Sequence, residues 1–185
     1  NTHSDWDHVA GNGLAPATEA VIGLGRLEDL ARQGLMRRSD RDPSGPGGKS
    51  LPAPYLWSYN GEELEIFPYP GLHSDADILI HFPKAAVLCM GDLLLSQSCP
   101  AIRDPAAYLE LLDKVLDVFP SPTTFVSGHG GDLSAAGLRK YRTDMAEMAR
   151  LVKKEFAAGR TEEEMIRADL LKGYKAEYSH LDWLG

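Results

Sequence analysis

Cysteine is nearly absent from this chain: Cys89 and Cys99 are the only two in 185 residues. Two thiols in dissimilar settings define neither a disulfide framework nor a cellular compartment. Cys89 lies in the apolar run Ala85–Met90 and reads as a buried free thiol. Cys99 lies in a loop, where facing a site, pairing with Cys89 or neither all stay open. Long hydrophobic stretches are missing too. No apolar run reaches the roughly 18–20 residues of a membrane span. Basic excess is also lacking: 19 Lys and Arg stand against 27 Asp and Glu, for a formal charge of −8. That balance speaks against nucleic acid or an anionic membrane surface as partner. Neither an internal repeat nor a low-complexity tract is present. With 43% hydrophobic and 25% charged residues, what remains is the length and composition of a single domain, residues 1–185, able to bury a core.

The periodicities alternate between strand and helix. Glu19–Gly23 reads as a short strand, and Leu24–Arg38 as a helix with Leu24, Leu27, Leu30, Ala31 and Leu35 on one face. Ser39–Pro54, with four prolines and three glycines, reads as a long loop, poorly ordered or poised over a site. Asn60-Gly61 marks a hairpin turn. Leu64–Phe67, Asp77–Phe82, Ala86–Met90 and Thr123–Val126 follow as strands. In the second of these, Ile78, Ile80 and Phe82 share one face, and Asp77, Leu79 and His81 the other. Asp104-Pro105 opens a helix with a stripe of Tyr108, Leu111, Leu112, Val115 and Phe119. The longest helix, Ser134–Ala158, is expected to bury Leu138, Tyr141, Met145, Met148, Val152 and Phe156. Thr161-Glu162-Glu163-Glu164 opens a last helix ending near Gly173, and Tyr174, Tyr178 and Trp183 are expected to pack back on the domain.

Against this ordinary background stands a set of seven imidazole and carboxylate residues: His3, Asp5, Asp7, His8, His73, Asp92 and His129. The first four occur at i, i+2, i+4 and i+5, a spacing that a tight loop after a strand can turn toward one point and a helix would scatter. Asp92 and His129 end apolar strands beside glycines, and His73 leaves a proline/glycine loop. Clusters at strand ends are where α/β folds place ligands. Imidazole and carboxylate donors suit zinc, iron or manganese. Trp6 is expected to prop the loop against the core. Asp75 and Asp77 are either supports for His73 or solvated carboxylates. His81 reads as a surface or packed residue, His180 as part of the tail, Met145 and Met148 as core, and Arg37-Arg38 with Asp40-Arg41-Asp42 as a solvated face.

Taken in order, Thr2–His8, Gly71-Leu72-His73-Ser74, Gly91-Asp92-Leu93-Leu94 and Ser127-Gly128-His129-Gly130 resemble the motifs of the metallo-β-lactamase superfamily, over roughly residues 1–170. The resemblance implies an αβ/βα four-layer sandwich. That family's first strands lie ahead of the opening motif, so the chain is expected to be part of a larger protein, with Asn1-Thr2 the end of a strand. It further implies two divalent metal ions, most simply zinc, one held by His3, Asp5 and His73 and the other by Asp7, His8 and His129, with Asp92 bridging. Such a pair lowers the pKa of a shared water from about 15.7 to ~7. Asp7 is the candidate catalytic residue, orienting the resulting hydroxide toward a small-molecule ester, lactone, thioester or amide. Asp5 departs from the family pattern, which has histidine there. A carboxylate at this position resembles the flavodiiron branch, an oxidoreductase alternative, although that branch uses glutamate. A metal-binding domain without catalysis is the third reading.

Overall fold

The computed structural model describes residues 1–14, 22–40 and 42–178. Seven strands form one sheet in sequence order: β1 (Arg37–Arg38), β2 (Tyr55–Tyr59), β3 (Glu62–Pro68), β4 (Ile78–Phe82), β5 (Val87–Cys89), β6 (Thr124–Val126) and β7 (Leu133–Ser134). All neighbours are antiparallel except β5 and β6. A parallel pair needs a crossover, and α3 (Pro105–Val118) supplies it. The β2–β3 hairpin turns at Asn60 and Gly61, both with positive φ, as a two-residue loop of this type requires.

Both faces of the sheet are covered. On one, Phe67, Leu79, Leu88 and Phe125 pack against Leu111, Leu112 and Val115 of α3 and Leu138, Tyr141, Met145 and Met148 of α4 (Ala135–Ala157). On the other, Ile66 and Ile78 meet Leu27 and Leu30 of α2 (Leu24–Arg32). The alternation read in β4 is therefore the alternation between two cores. Arg142 clamps α4 to α3 through a two-pronged ion pair with Asp113, at 2.9 and 2.8 Å. Among the described residues the α/β class holds, with one sheet between helical layers.

Several expectations are corrected. The helix expected over 24–38 stops at Arg32 because Gly34, at φ +73°, turns the chain in the left-handed conformation that ends helices. Arg37 and Arg38 then join the sheet edge, Met36 is buried and Leu35 is exposed. The stripe on α4 overreaches. At 1.5 Å per residue its 23 residues span about 35 Å, against about 21 Å for α3. Its last turns leave the core, with Phe156 exposed. The loop 39–54 is pinned to α3: the backbone N–H groups of Gly47 and Lys49 donate to the Asp117 carboxylate. The last helix, α5 (Glu162–Arg167), opens with the expected capping box but ends before Gly173, and Asp169 takes a positive φ beyond it. Tyr178 packs back, buried, and donates to Asp144. Most of the strand expected at 19–23, and His180 and Trp183, lie outside the described residues. Cys89 and Cys99 are both free thiols. Cys99 packs against the sulfurs of Met145 and Met148, and burial pushes its pKa up to about 11.

Candidate metal centre

The topology brings four distant segments to one edge of the sheet. β5 and β6 run parallel and end there, carrying Asp92 in the 3-10 turn Gly91–Leu93 and His129 just past β6. β3 and β4 are antiparallel, so the loop between them, with His73, opens at the same edge. The N-terminal segment joins through the Thr2 carbonyl, which accepts from the N–H of Ile78 at 2.9 Å. The opening motif itself is not all loop. Trp6–Val9 forms a single helical turn, α1, with Asp5 as its N-cap residue. Asp5 precedes the turn in extended backbone, and Asp7 and His8 are neighbours within it, so the three still face one region. Trp6 does not prop this turn against the core: it is 80% exposed.

All seven predicted residues converge. In each of three groups the donor atoms lie within 4.8 Å of one another: His3, Asp5 and His73; His3, His8 and Asp92; Asp7, His8 and His129. Asp92 is the hub, with an Nε2 of His8, His129, His3 and His73 at 3.1, 3.5, 3.8 and 3.9 Å. The floor is buried, His3 at 4% exposure and Asp92 at 9%, while the side chains of Asp5, Asp7 and His129 are about half exposed at the mouth. Ligands therefore enter past those three.

The chemistry of these donors calls for a cation. His73 Nδ1 lies 3.1 Å from the carbonyl oxygen of Ala101. A carbonyl only accepts, so Nδ1 carries the hydrogen and Nε2 of the neutral ring presents a lone pair. That lone pair faces Asp5 Oδ2 at 3.3 Å. Two acceptors at this distance repel unless a proton or a metal ion lies between them. Deeper in, His3 Nε2 and Asp92 Oδ1 are buried without a hydrogen-bond partner among the described residues, an arrangement that is costly unless a ligand satisfies it. His3 resists the proton: burial first, then the neighbouring His8, lowers its pKa from 6.5. At the mouth, desolvation acts to raise the Asp7 pKa, but its backbone N–H and the adjacent His8 and His129 outweigh this and lower it. The residues present thus fit bound metal cations.

Sequence reasoning found the donors and missed what holds them. Asp77 is buried and supports the His73 loop, accepting from the backbone N–H groups of His73 and Ser74 and from the Ser74 hydroxyl. Asp75 instead pairs with Arg103 at the surface. The Ala101 carbonyl and the Thr2 hydroxyl, which meet imidazoles, carried no signal beyond their neighbours in sequence. His81 is packed away from this centre, bonded to Glu65 at 2.8 Å and set against the Phe119 ring.

No family model matches the chain. Its neighbours among solved structures include metallo-β-lactamases and a sec-alkylsulfatase. A double mutant of the sec-alkylsulfatase PisA1 is 21% identical, with 60% of this chain and 19% of that one aligned at a TM-score of 0.46. A metallo-β-lactamase from Pontibacter korlensis is 16% identical over 66% and 63%, at 0.44. The B3 metallo-β-lactamase BLEG-1 is 29% identical over 44% and 41%, at 0.38. The chain spans from about a fifth to somewhat under two thirds of the length of these structures.

Proposed function

We propose that this chain carries the metal centre of a metal-dependent hydrolase. The observation that carries the reading is the convergence of four imidazoles and three carboxylates at one sheet edge, with His3 Nε2 and Asp92 Oδ1 buried and unbonded at its floor. His3, Asp5 and His73 would hold one divalent ion and Asp7, His8 and His129 a second, with Asp92 between them. Bound there, such ions supply a water acidified toward neutrality and Lewis acidity toward a carbonyl oxygen.

The side chains divide the remaining work. Asp7 stands at the exposed mouth with its carboxyl held ionised, 2.9 Å from His129 Nε2, placed to accept a hydrogen bond from the attacking water and fix its direction. Asp92 sits under both groups and fixes their separation. The buried floor directs a small-molecule ester, lactone, thioester or amide to approach from the Asp5, Asp7 and His129 side. Asp5, anionic where the resembled motif has histidine, lowers the positive charge of the first group. It also favours the second reading, a non-haem di-iron oxidoreductase.

The test is metal analysis with activity. Protein containing this chain should bind two zinc ions and hydrolyse at least one of a lactone, thioester, ester and β-lactam panel. Chelation should abolish that activity, and Asp7→Ala should reduce it at least ~100-fold. Iron with a visible absorption band would transfer the case to redox chemistry. Turnover indifferent to chelator, or no bound metal, would overturn both readings.

A further inference from the structure

Thr2 touches two of the seven donors at once. Its Oγ1 lies 3.2 Å from Nδ1 of His3 and 3.1 Å from Nδ1 of His8, two rings five residues apart in sequence. The two rings meet with centroids 4.0 Å apart, and their opposite nitrogens face the Asp92 carboxylate. The backbone of Thr2 is fixed by its carbonyl, bonded to Ile78 at the start of β4. The space it occupies is kept by Gly91. That residue has φ +54°, and a Cβ there would lie 2.5 Å from both Cβ and Oγ1 of Thr2.

We propose that Thr2 is a positioning residue that sets the tautomer and ring angle of His3 and His8 together. The inference rests on the metal-centre reading above. A hydroxyl has one hydrogen and can accept two hydrogen bonds. When both imidazoles carry their hydrogen on Nδ1, both donate into Oγ1 and both Nε2 lone pairs point at the centre. When the hydroxyl hydrogen goes to one Nδ1, that ring carries its own hydrogen on Nε2 and cannot ligate through it. Because there is only one hydroxyl hydrogen, at most one ring can be held in the wrong tautomer. Metal-binding histidines characteristically have their second nitrogen fixed by such a partner. Here one side chain serves two rings assigned to different ions. Removing the hydroxyl therefore weakens both ions rather than one.

Two variants and one spectrum test this. Thr2→Val keeps the shape and removes the hydroxyl, whereas Thr2→Ser keeps the hydroxyl. Zinc titrated against a chromophoric chelator should show both sites of Thr2→Val weakened by about 10–100-fold, and Thr2→Ser should recover to within a few-fold of wild type. Imidazole nitrogen NMR of the metal-free wild-type chain, at a pH where histidine is neutral, should find the hydrogen of both His3 and His8 predominantly on Nδ1. Thr2→Val should shift both toward Nε2. Unchanged zinc affinity at either site of Thr2→Val overturns the proposal. So does a wild-type chain whose His3 and His8 both carry the hydrogen on Nε2, and that measurement needs no variant to fold. A wild-type chain that bound no zinc would sink the metal reading, while the tautomers would still decide whether Thr2 orients the rings.

Discussion

Replacing Asp77 with alanine should unfasten one half of the centre without touching a proposed ligand. The Asp77 side chain is buried, 2% exposed, and its carboxylate closes the loop from His73 by accepting from His73 N–H at 3.0 Å, Ser74 N–H at 2.9 Å and the Ser74 hydroxyl at 2.5 Å. Hydrogen bonds to a charged acceptor contribute about 1.5–3 kcal/mol each. Removing a buried carboxylate returns several kcal/mol of desolvation cost, so the net loss of metal-free stability should be about 3 kcal/mol. With a urea slope near 2 kcal/mol/M, the unfolding midpoint should fall by about 1.5 M. Asp77→Asn retains an acceptor oxygen and should lose about a third as much. The functional consequence is selective. His73 groups with His3 and Asp5, whereas Asp7, His8 and His129 do not draw on this loop. Zinc content of Asp77→Ala, by elemental analysis of dialysed protein, should drop from two to one. A midpoint within ~0.3 M of wild type together with full metal content would show that Asp77 does not organise this site.

Gly128→Ala should remove both ions, because its new Cβ would lie 2.0 Å from Asp92 Oδ1 and 2.7 Å from the Gly91 carbonyl carbon. A folded variant, by circular dichroism, with wild-type zinc affinity would contradict that. A pH effect follows from His3, whose folded-state pKa is lowered by burial first and His8 second. Between that lowered value and the ordinary 6.5, the unfolded chain holds more protons than the folded one, so stability rises with pH across the window. The contribution is complete above 6.5 and is lost as pH falls through the folded value. Urea midpoints of chelator-treated protein should therefore decline as pH falls below 6.5, and His3→Gln should decline less steeply; parallel profiles would refute the assignment.

The donors were legible because their chemistry is written into local sequence: an apolar strand, a glycine, then a ligand. Asp92 after β5 and His129 after β6 follow that grammar, and parallel pairing puts both at one edge. The alternation in β4 likewise separated Ile78 and Ile80 from Leu79, which the structure places in different cores. What escaped depended on groups that meet only in three dimensions. Gly34 ends α2 by its backbone angle, although the apolar spacing continues past it. Trp6 is bulky and apolar, yet α1 turns it outward. The Ala101 carbonyl lies 28 residues from the ring it orients, and no periodicity links the two. Val152 and Phe156 sit on the correct stripe of α4 but beyond the end of its partner helix, a length mismatch that the pattern along one helix cannot show.

The supports explain why the folded chain is poised for cations rather than self-satisfied. Four neutral imidazoles and three carboxylates carry three negative charges, against four positive ones from two divalent ions. On the proposed function, a centre holding both ions would be left with a single positive charge, where a histidine at Asp5 would leave two. Without ions, imidazole Nε2–H groups are the nearest donors to the Asp92 carboxylate. The Ala101 carbonyl withholds that hydrogen in neutral His73, and the Thr2 hydroxyl, on the proposal above, withholds it in His3 and His8. Asp92 Oδ1 is buried and unbonded among the described residues, although His8 Nε2 stands 3.1 Å away. On that proposal, neutral rings so held aim lone pairs and a carboxylate at the same small volume, an arrangement that a proton or a metal ion relieves.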